Sequence, residues 1–383
     1  MEMLDENTKK RLEKQQYRVV GSHSTVKVCG WTKNMIKGEG GCYKLKFYGI
    51  MSHQCLQMTS SMSCANRCIF CWRDYKAPVS KEWKWDVDEP EFIIEGSLKA
   101  QKKLLEGFGG NPKANKTAFE ASKNVKHVAL SLSGEPIIYP RINELIKRFH
   151  ERGISTFLVT NGQHPEQIEK LDPVTQLYLS LDAPTKELLK EIDKPLFQDF
   201  WIRLEKSLKA LAEKKQRTTI RITIMKDYND DMLDRYAELI KLGNPEFIEV
   251  KGYMHVGASQ ERLERKHMPF HEYILKISKK LSEFLPEYEI LSEHIPSRVV
   301  LLAKKSLKKD TGWATWIDFK KFEALTKEFY ENGKEFSTED YLRKTPINLL
   351  GIKSETGIKD EIIDADNKEY LKVSEHNSEI DLE

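Results

Sequence analysis

The chain has 383 residues, of which 39% are hydrophobic and 32% are charged, and its formal net charge is +3. This length allows a substantial core and fits either one large α/β domain with extensions or two modest domains. No run of eighteen apolar residues occurs and the first residues are highly charged, so the sequence predicts neither a transmembrane helix nor a secretory signal. We therefore expect a cytoplasmic enzyme that does not associate with a membrane.

Charge is unevenly distributed along the chain. Residues 351–383 contain four Lys against ten Asp or Glu, a net charge of −6, which leaves +9 for residues 1–350. A basic body suits a polyanionic partner such as RNA, although a solvated lysine-rich surface explains the same charge equally well. The acidic tail is expected to be a mobile or loosely docked appendage, and its role is not identified by the sequence.

The chain divides into three zones: an N-terminal extension at 1–57, a core at 58–300 and a C-terminal extension with the acidic tail at 301–383. In the first zone, the segment GGCYKLKFYGI alternates apolar and polar residues after two glycines. This alternation predicts a β-strand that follows a glycine turn.

In the core zone, short apolar runs alternate with amphipathic stretches. This alternation predicts a parallel sheet, either closed as a barrel or open and doubly wound. In both forms, ligands gather at the carboxyl ends of the strands. Strands are predicted at 56–60, 127–134, 155–162, 176–183, 219–226 and 247–254, and helices at 90–107, 140–153, 199–215 and 230–243.

All six cysteines lie in the first 71 residues, which indicates a localised metal site in a reducing compartment rather than a disulfide framework. Cys64, Cys68 and Cys71, here called the first triad, have the spacing C-x3-C-x2-C on one loop after a predicted strand. Three thiolates leave one position of an iron-sulfur cluster open to a further ligand. The same loop could instead hold zinc, with His53 or Cys55 as the fourth ligand.

A second motif, SGEP, closes the next predicted strand. Its Gly134 allows a close backbone approach, and the carboxylate of Glu135 can accept a hydrogen bond from an ammonium group. Further polar residues at predicted strand ends suit contacts with a cofactor or substrate, although turn formation explains them too. These residues are Thr160, Asn161, Ser180, Asp182, Arg221 and Lys251.

The first triad and SGEP together resemble the radical S-adenosylmethionine (SAM) superfamily, and Phe70 before the last cysteine belongs to the same pattern. SGEP departs from the more usual double-glycine form. The resemblance implies an α/β fold, a partial (βα)6 TIM-type barrel with N-terminal and C-terminal extensions. It also implies a 4Fe-4S cluster on the first triad whose open iron binds SAM, with Phe70 beside the adenine. The candidate SAM contacts are Gly134, Glu135, Asn161 and Asp182.

The remaining cysteines, Cys29, Cys42 and Cys55, have twelve residues between each successive pair and are here called the second triad. They can ligate another iron-sulfur cluster with an open iron, or they can be buried or zinc-binding thiols. If GGCYKLKFYGI is a strand, Lys44 and Lys46 project from the same face as Cys42. A partly desolvated lysine there can attack a carbonyl to form a Schiff base, whereas most lysines are solvated surface residues.

With two triads in this order, the chain resembles the archaeal form of the tRNA 4-demethylwyosine synthase family over nearly its whole length to about residue 350. The resemblance implies that N1-methylguanosine, which lies 3′ of the anticodon in tRNA(Phe), is condensed with two carbons of pyruvate. It implies two 4Fe-4S clusters, SAM and an external electron donor, and we expect a monomer. The second cluster would bind pyruvate, and Lys44 matches the family lysine proposed to form the Schiff base, with Lys46 as the alternative.

The segment that follows the first triad interleaves aromatic and basic residues. It suits base stacking and phosphate contact, or else it is an aromatic cluster that covers the barrel mouth. Two other functions remain open: a different two-cluster radical SAM enzyme, such as one that inserts sulfur into RNA, and a zinc-stabilised RNA-binding protein. Pyruvate consumption distinguishes the synthase from the first alternative, and iron content distinguishes it from the second. The residues of the segment are Trp72, Arg73, Tyr75, Lys76, Lys81, Trp83, Lys84 and Trp85.

Overall fold

The computed structural model describes residues 1–355, which contain fourteen β-strands and twelve α-helices. Of the acidic tail predicted at 351–383, residues 356–383 lie outside the described residues. The strands are β1 (Arg18–Val20), β2 (Ser24–Val26), β3 (Cys55–Thr59), β4 (His127–Leu130), β5 (Ser155–Thr160), β6 (Gln176–Ser180), β7 (Thr218–Ile224), β8 (Phe247–Gly252), β9 (Tyr288–His294), β10 (Val299–Lys304), β11 (Lys308–Lys309), β12 (Gly312–Trp313), β13 (Trp316–Ile317) and β14 (Leu342–Arg343). The helices are α1 (Glu6–Lys14), α2 (Gly30–Ile36), α3 (Tyr43–Tyr48), α4 (Pro90–Leu105), α5 (Lys116–Ser122), α6 (Ile142–His150), α7 (Pro165–Lys170), α8 (Lys186–Asp193), α9 (Phe200–Ala212), α10 (Leu233–Gly243), α11 (His271–Glu283) and α12 (Phe319–Asn332).

Ten of the strands form one sheet in the order β1-β2-β3-β4-β5-β6-β7-β8-β10-β9. The six strands from β3 to β8 are parallel, and each pairs with the next one along the chain. They are the six predicted strands, which are confirmed, and the four predicted helices are confirmed as α4, α6, α9 and α10. The edge strands β1 and β9 do not pair with each other in the described part of the chain, so the sheet is the predicted partial (βα)6 TIM-type barrel.

The two faces of the parallel strands differ in composition. On the outer face, Leu177 and Leu179 of β6 and Ile248 of β8 belong to the large apolar cluster that includes residues of the surrounding helices. Side chains alternate between the faces of a strand, so the intervening residues Tyr178 and Glu249 point to the inner face. An inner face with phenol and carboxylate groups suits polar ligands better than an aliphatic core does.

The segment GGCYKLKFYGI contains the helix α3, so the strand prediction for it was wrong. Cys42 is the N-cap residue in an extended conformation, and Gly49 ends the helix in the left-handed region with φ of 78°. Leu45 and Phe47 pack into two different apolar clusters, because both sides of this helix are buried. A six-residue helix buried on both sides has the same alternating composition as a strand, so the hydrophobic period alone gave the wrong element.

Both ends of the described chain join the barrel. The strand β2 pairs antiparallel with β3 through Thr25 and Thr59, and β10 lies between β8 and β9. Trp316 in β13 is buried, and its indole donates a hydrogen bond to the backbone carbonyl of Lys46 at 3.1 Å. The C-terminal extension therefore packs against α3. Within residues 1–355, no helix combines the length and the apolar character that crossing a membrane requires.

Candidate active site

The first triad lies on a loop that leaves the carboxyl end of β3 and is held by backbone hydrogen bonds. Arg67 donates to the carbonyl of Asp193 at the end of α8, and Ile69 donates to the carbonyl of Ile192, both at 2.8 Å. The buried guanidinium of Arg73 donates to backbone carbonyls on the same loop, including that of Met62 at 2.8 Å. These bonds fix the loop without using the cysteine side chains, which remain available as ligands.

The thiols of the first triad lie close together. Burial raises the pKa of Cys64 to about 12, and the neighbouring Cys71 adds to the increase. Burial also raises the pKa of Cys68 well above its ordinary value, with Asp193 and Cys71 as further causes. Buried thiols of this kind ionise only when a cationic partner such as iron stabilises the thiolate. The loop therefore fits a cluster with three protein ligands and one open iron.

No three Cys, His, Asp or Glu side chains within residues 1–355 are grouped tightly enough to hold one single metal ion. The thiolates of a 4Fe-4S cluster each bind a different iron, so they stand further apart than the ligands of one ion.

The turn at Gly134 brings a carboxylate next to the first triad. Gly134 has φ of 71°, and a Cβ there would lie 2.0 Å from the carbonyl oxygen of Ser61, so no other residue fits. The next residue, Glu135, accepts a hydrogen bond from the backbone of Asn161 at 2.9 Å, and Asn161 Nδ2 also lies 3.3 Å from Cys64 Sγ. The predicted residues Gly134, Glu135 and Asn161 are thus brought together beside the triad.

The carboxylate of Glu135 is buried, and its Oε1 has no hydrogen-bond partner in the described part of the chain. Burial raises the pKa of Glu135 to about 7, although hydrogen bonds from Asn161 and Thr160 oppose the shift. A buried acceptor without a partner is costly, and a bound cation removes that cost. The site therefore fits an ammonium group.

The other two predicted cofactor contacts lie on the same side of the barrel. Phe70 is half-buried and packs against the large apolar cluster. Asp182 is buried, and its pKa lies well above the ordinary value because of burial and the neighbouring Asp193. Asp182 also contributes to the raised pKa of Cys68, which sets it near the first triad.

The second triad is assembled from three separate elements. Cys29 is the N-cap residue of α2, Cys42 is the N-cap residue of α3, and Cys55 is the first residue of β3. Burial raises the pKa of Cys42 and of Cys55 to about 12, and Cys29 adds to both increases. Cys55 therefore lies with the second triad, and the three neighbouring thiols fit a second cluster.

Lys44 lies beside the second triad and faces the barrel interior. Its Nζ is 4.5 Å from the ring centroid of Tyr178 and 5.7 Å from that of Phe157, and it has no hydrogen-bond partner in residues 1–355. Burial lowers the pKa of Lys44, and Arg221 lowers it further. Lys46, two residues along the helix, is buried on a different side of α3, because such residues lie about 200° apart. The geometry thus favours Lys44 as the nucleophile.

Three residues of the interior were not predicted from the sequence: Glu249, Tyr43 and Tyr48. The carboxylate of Glu249 is fully buried and accepts hydrogen bonds from Tyr48 at 2.9 Å, Tyr43 at 3.1 Å and Arg221 Nε at 2.9 Å. It therefore ties α3 to β7 and β8. One sequence signal could have identified Glu249: it is a charged residue inside the apolar run of β8. A parallel strand rarely buries a carboxylate without a partner.

The aromatic and basic segment after the first triad is partly structural. Trp83 packs against Tyr139 and Trp85, and its Nε1 donates to the carbonyl of Trp85 at 2.7 Å. Arg73 is buried in the loop, whereas Lys76 is exposed, as are Lys81 and Lys84. The aromatic rings thus pack against the chain itself, and the exposed lysines remain available for phosphate contacts.

Comparisons with known proteins agree with this arrangement. The profile of the radical SAM superfamily matches residues 58–240, and the profile for wyosine base formation matches residues 242–304. The S-adenosyl-L-methionine-dependent tRNA 4-demethylwyosine synthase TYW1 of Mus musculus is 48% identical over 347 residues, which cover 90% of this chain and 48% of the mouse protein. The corresponding synthase of Arabidopsis thaliana is 47% identical over 348 residues, which cover 90% of this chain and 53% of the plant protein. The chain thus spans about half the length of these relatives.

Two solved structures are similar over almost their full length. A structure of TYW1 with a lysine-pyruvate adduct bound is 40% identical, with a TM-score of 0.72, and the match covers 79% of this chain and 97% of that one. A crystal structure of archaeal TYW1 is 37% identical, with a TM-score of 0.65, and the match covers 79% of this chain and 98% of that one.

Proposed function

The chain belongs to the tRNA 4-demethylwyosine synthase family of the radical SAM superfamily, and we propose on that basis that it condenses N1-methylguanosine 3′ of the anticodon in tRNA(Phe) with two carbons of pyruvate. The product would be 4-demethylwyosine. The observation that carries the proposal is the amine of Lys44, which has no hydrogen-bond partner in residues 1–355 and lies beside the second triad. The strand Cys55–Thr59 starts at a cysteine of the second triad and leads into the loop of the first triad, so both triads lie next to this one strand.

In this proposal the first triad would hold a 4Fe-4S cluster whose open iron takes SAM. When bound, the cluster and SAM supply a 5′-deoxyadenosyl radical for hydrogen abstraction from the N1-methyl group. Glu135 would accept the SAM ammonium on Oε1, and Asn161 would hold that carboxylate in place. Phe70 would lie beside the adenine, with Gly134 and Asp182 in the same pocket. The hydrogen bond between Asn161 and Glu135 and the buried Oε1 without a partner support this assignment.

The second triad would hold a second 4Fe-4S cluster, and its open iron would bind pyruvate. Nζ of Lys44 would attack the carbonyl carbon of pyruvate, and the carbonyl oxygen would leave as water to give a Schiff base. Burial favours the neutral amine that this attack requires. The lysine-pyruvate adduct of the similar TYW1 structure supports the same role for Lys44.

The tRNA partner adds one requirement. The methylated base must leave its stack to enter the barrel interior.

The external electron donor, the monomeric state, the cytoplasmic location and the zones 1–57, 58–300 and 301–383 stay predictions. The prediction that the chain is the archaeal form also stays a prediction.

The test is anaerobic turnover of the reconstituted protein with N1-methylguanosine-containing tRNA(Phe), SAM, pyruvate and a strong reductant. Mass spectrometry of the digested nucleosides is expected to detect the tricyclic product together with 5′-deoxyadenosine. Formation of 5′-deoxyadenosine without any change in the nucleoside would overturn the substrate assignment and leave the radical SAM assignment intact. Turnover that does not consume pyruvate would favour an RNA sulfur-insertion enzyme instead.

A further inference from the structure

Three basic side chains, Lys44, Arg221 and Lys251, lie close together on the inner face of the barrel. Lys44 Nζ and the guanidinium carbon of Arg221 are 4.5 and 4.8 Å from the ring centroid of Tyr178, so they share one ring. Lys251 Nζ lies 5.8 Å from the ring centroid of Tyr43, whose hydroxyl accepts a hydrogen bond from Arg221. The three side chains thus surround one small part of the interior, next to the second triad.

The hydrogen-bond donors of Arg221 are only partly used. Its Nε donates to Glu249 and its Nη2 donates to the hydroxyl of Tyr43, both at 2.9 Å. Its Nη1 has no partner in residues 1–355, and 16% of the side chain remains exposed. One edge of the guanidinium is therefore fixed by the protein, and the remaining donor is available to a ligand.

Lys251 lies next to Arg221 and also keeps free donors. Its ammonium donates to the carbonyl of Ser297 at 2.6 Å, which uses one of its three protons. Burial lowers the pKa of Lys251 to about 8, and the positive charge of Arg221 contributes to the shift. The two cations thus repel each other in a partly dry environment.

The carboxylate of Glu249 faces these side chains, and it balances one of the two positive charges carried by Arg221 and protonated Lys251. Buried charge without a partner is strongly unfavourable, and a bound anion compensates it. A 2-oxo acid has a carbonyl next to its carboxylate, so a lysine that attacks the carbonyl needs a cationic site for the carboxylate within the same small volume.

We propose that Arg221 and Lys251 form a carboxylate-binding subsite that selects a small 2-oxo acid for Lys44. This inference rests on the proposed function and deepens it, because it identifies the residues that distinguish a 2-oxo acid from an uncharged ketone. The ligand would accept hydrogen bonds from Nη1 of Arg221 and from Nζ of Lys251. Arg221 thereby binds substrate directly, and Glu249 holds it in position.

The test is calorimetric binding of oxamate, an unreactive isostere of pyruvate, to the reconstituted 383-residue chain under anaerobic conditions. Oxamide, the uncharged counterpart of oxamate, serves as the second probe. We expect Arg221→Gln and Lys251→Met each to weaken oxamate binding by about tenfold or more, the usual effect of losing a charge-assisted hydrogen bond. Oxamide binding is expected to stay within about twofold of that of the wild type.

The control variant is Arg235→Gln, whose side chain is exposed on α10 and pairs with Glu238. It is expected to bind oxamate as the wild type does. Lys251→Met still tests the subsite if Arg221→Gln does not fold, because it leaves the hydrogen bond between Arg221 and Glu249 intact. Equal loss of oxamate and oxamide binding, or no loss of oxamate binding in either variant, would overturn the subsite.

Failure of the proposed function and failure of the carboxylate-binding subsite give different experimental results. A wild-type protein that binds oxamate with the expected dependence on Arg221 but makes no tricyclic nucleoside would overturn the proposed function and leave the subsite standing. A protein that makes the tricyclic nucleoside while Arg221→Gln binds oxamate normally would overturn the subsite alone.

Discussion

The two cysteine triads are built in different ways. The first triad lies on a single loop of eight residues, which Arg67 and Ile69 anchor to the end of α8 through their backbone amides. The second triad takes one cysteine each from the N-cap of α2, the N-cap of α3 and the start of β3. The first site therefore depends mainly on local chain geometry, and the second depends on how three elements pack.

This difference affects what surrounds each site. Next to the first triad, polar groups come from the carboxyl ends of parallel strands, as with Glu135 and Asn161. Next to the second triad, polar groups come from strand interiors and from α3, as with Glu249 and Tyr43. A perturbation of the barrel interior should thus affect the second site much more than the first.

The largest expected effect comes from removing one cysteine of each triad. Cys68→Ala is expected to abolish both 5′-deoxyadenosine and the tricyclic nucleoside, because the proposed SAM site would lose its cluster. Cys42→Ala is expected to abolish the nucleoside product and to keep 5′-deoxyadenosine formation. Product analysis and iron content measure both effects, and each variant should lose about half of the bound iron if each triad holds one cluster. Loss of 5′-deoxyadenosine in Cys42→Ala would contradict two separate sites.

The next largest effect is expected at the proposed nucleophile. Lys44→Ala should lower nucleoside formation by at least about 100-fold, the usual contribution of a positioned catalytic side chain. Hydride trapping followed by mass spectrometry should find the pyruvate adduct in the wild type and in Lys46→Ala, but not in Lys44→Ala. Normal turnover in Lys44→Ala, combined with loss of turnover in Cys42→Ala, would exclude a covalent role for this lysine.

Glu249→Gln tests whether the hydrogen bonds that Glu249 accepts in the barrel interior support the second triad and not the first. The change removes the charge that pairs with Arg221 and weakens the acceptor of Tyr43 and Tyr48, so the free energy of unfolding should fall by about 3 kcal/mol. Iron should be lost from the second site, with 5′-deoxyadenosine formation retained. Denaturant unfolding and iron analysis measure these effects.

A matched control for this change is Glu238→Gln. The carboxylate of Glu238 is exposed and pairs with Arg235 on the same helix, so its removal should change the free energy of unfolding by less than about 0.5 kcal/mol. Equal destabilisation by both variants would show that Glu249 does not anchor α3.

A separate effect is expected on the pH dependence of stability at the first site. Burial raises the pKa of Glu135 from its ordinary 4.5 to about 7, so the folded state binds this proton more tightly than the unfolded state. The resulting stabilisation is complete below pH 4.5 and is lost as the pH rises through 7, a total of about 3 kcal/mol without SAM.

Glu135→Gln measures this contribution. Its free energy of unfolding, relative to that of the wild type, should increase by up to about 3 kcal/mol between pH 4.5 and pH 8. SAM binding should weaken by about tenfold at pH 8, because a charged acceptor is lost. If the difference in free energy of unfolding between Glu135→Gln and the wild type does not change with pH, Glu135 is not buried as a neutral group.

Local sequence patterns predicted much of the fold because the parallel strands are continuous apolar runs between amphipathic helices. The antiparallel strands β9 and β10 were missed, because the pairing of an edge hairpin depends on distant residues such as those of β8. The helix α3 was predicted as a strand, because a short element buried on both sides has no distinctive period.

The sequence by itself determined the first cysteine triad, the SGEP turn and the parallel α/β core, because each depends on patterns among residues that are close along the chain. Only the packing of α2, α3 and β3 brings Cys29, Cys42 and Cys55 together as the second triad. Only the tertiary structure decided that Lys44, and not Lys46, faces the barrel interior, since this depends on the helical conformation of α3. It also decided that Glu249 joins Tyr43, Tyr48 and Arg221, which are up to 206 residues apart in the chain. Contacts over such separations follow from the packing of the whole barrel, which no local sequence pattern predicts.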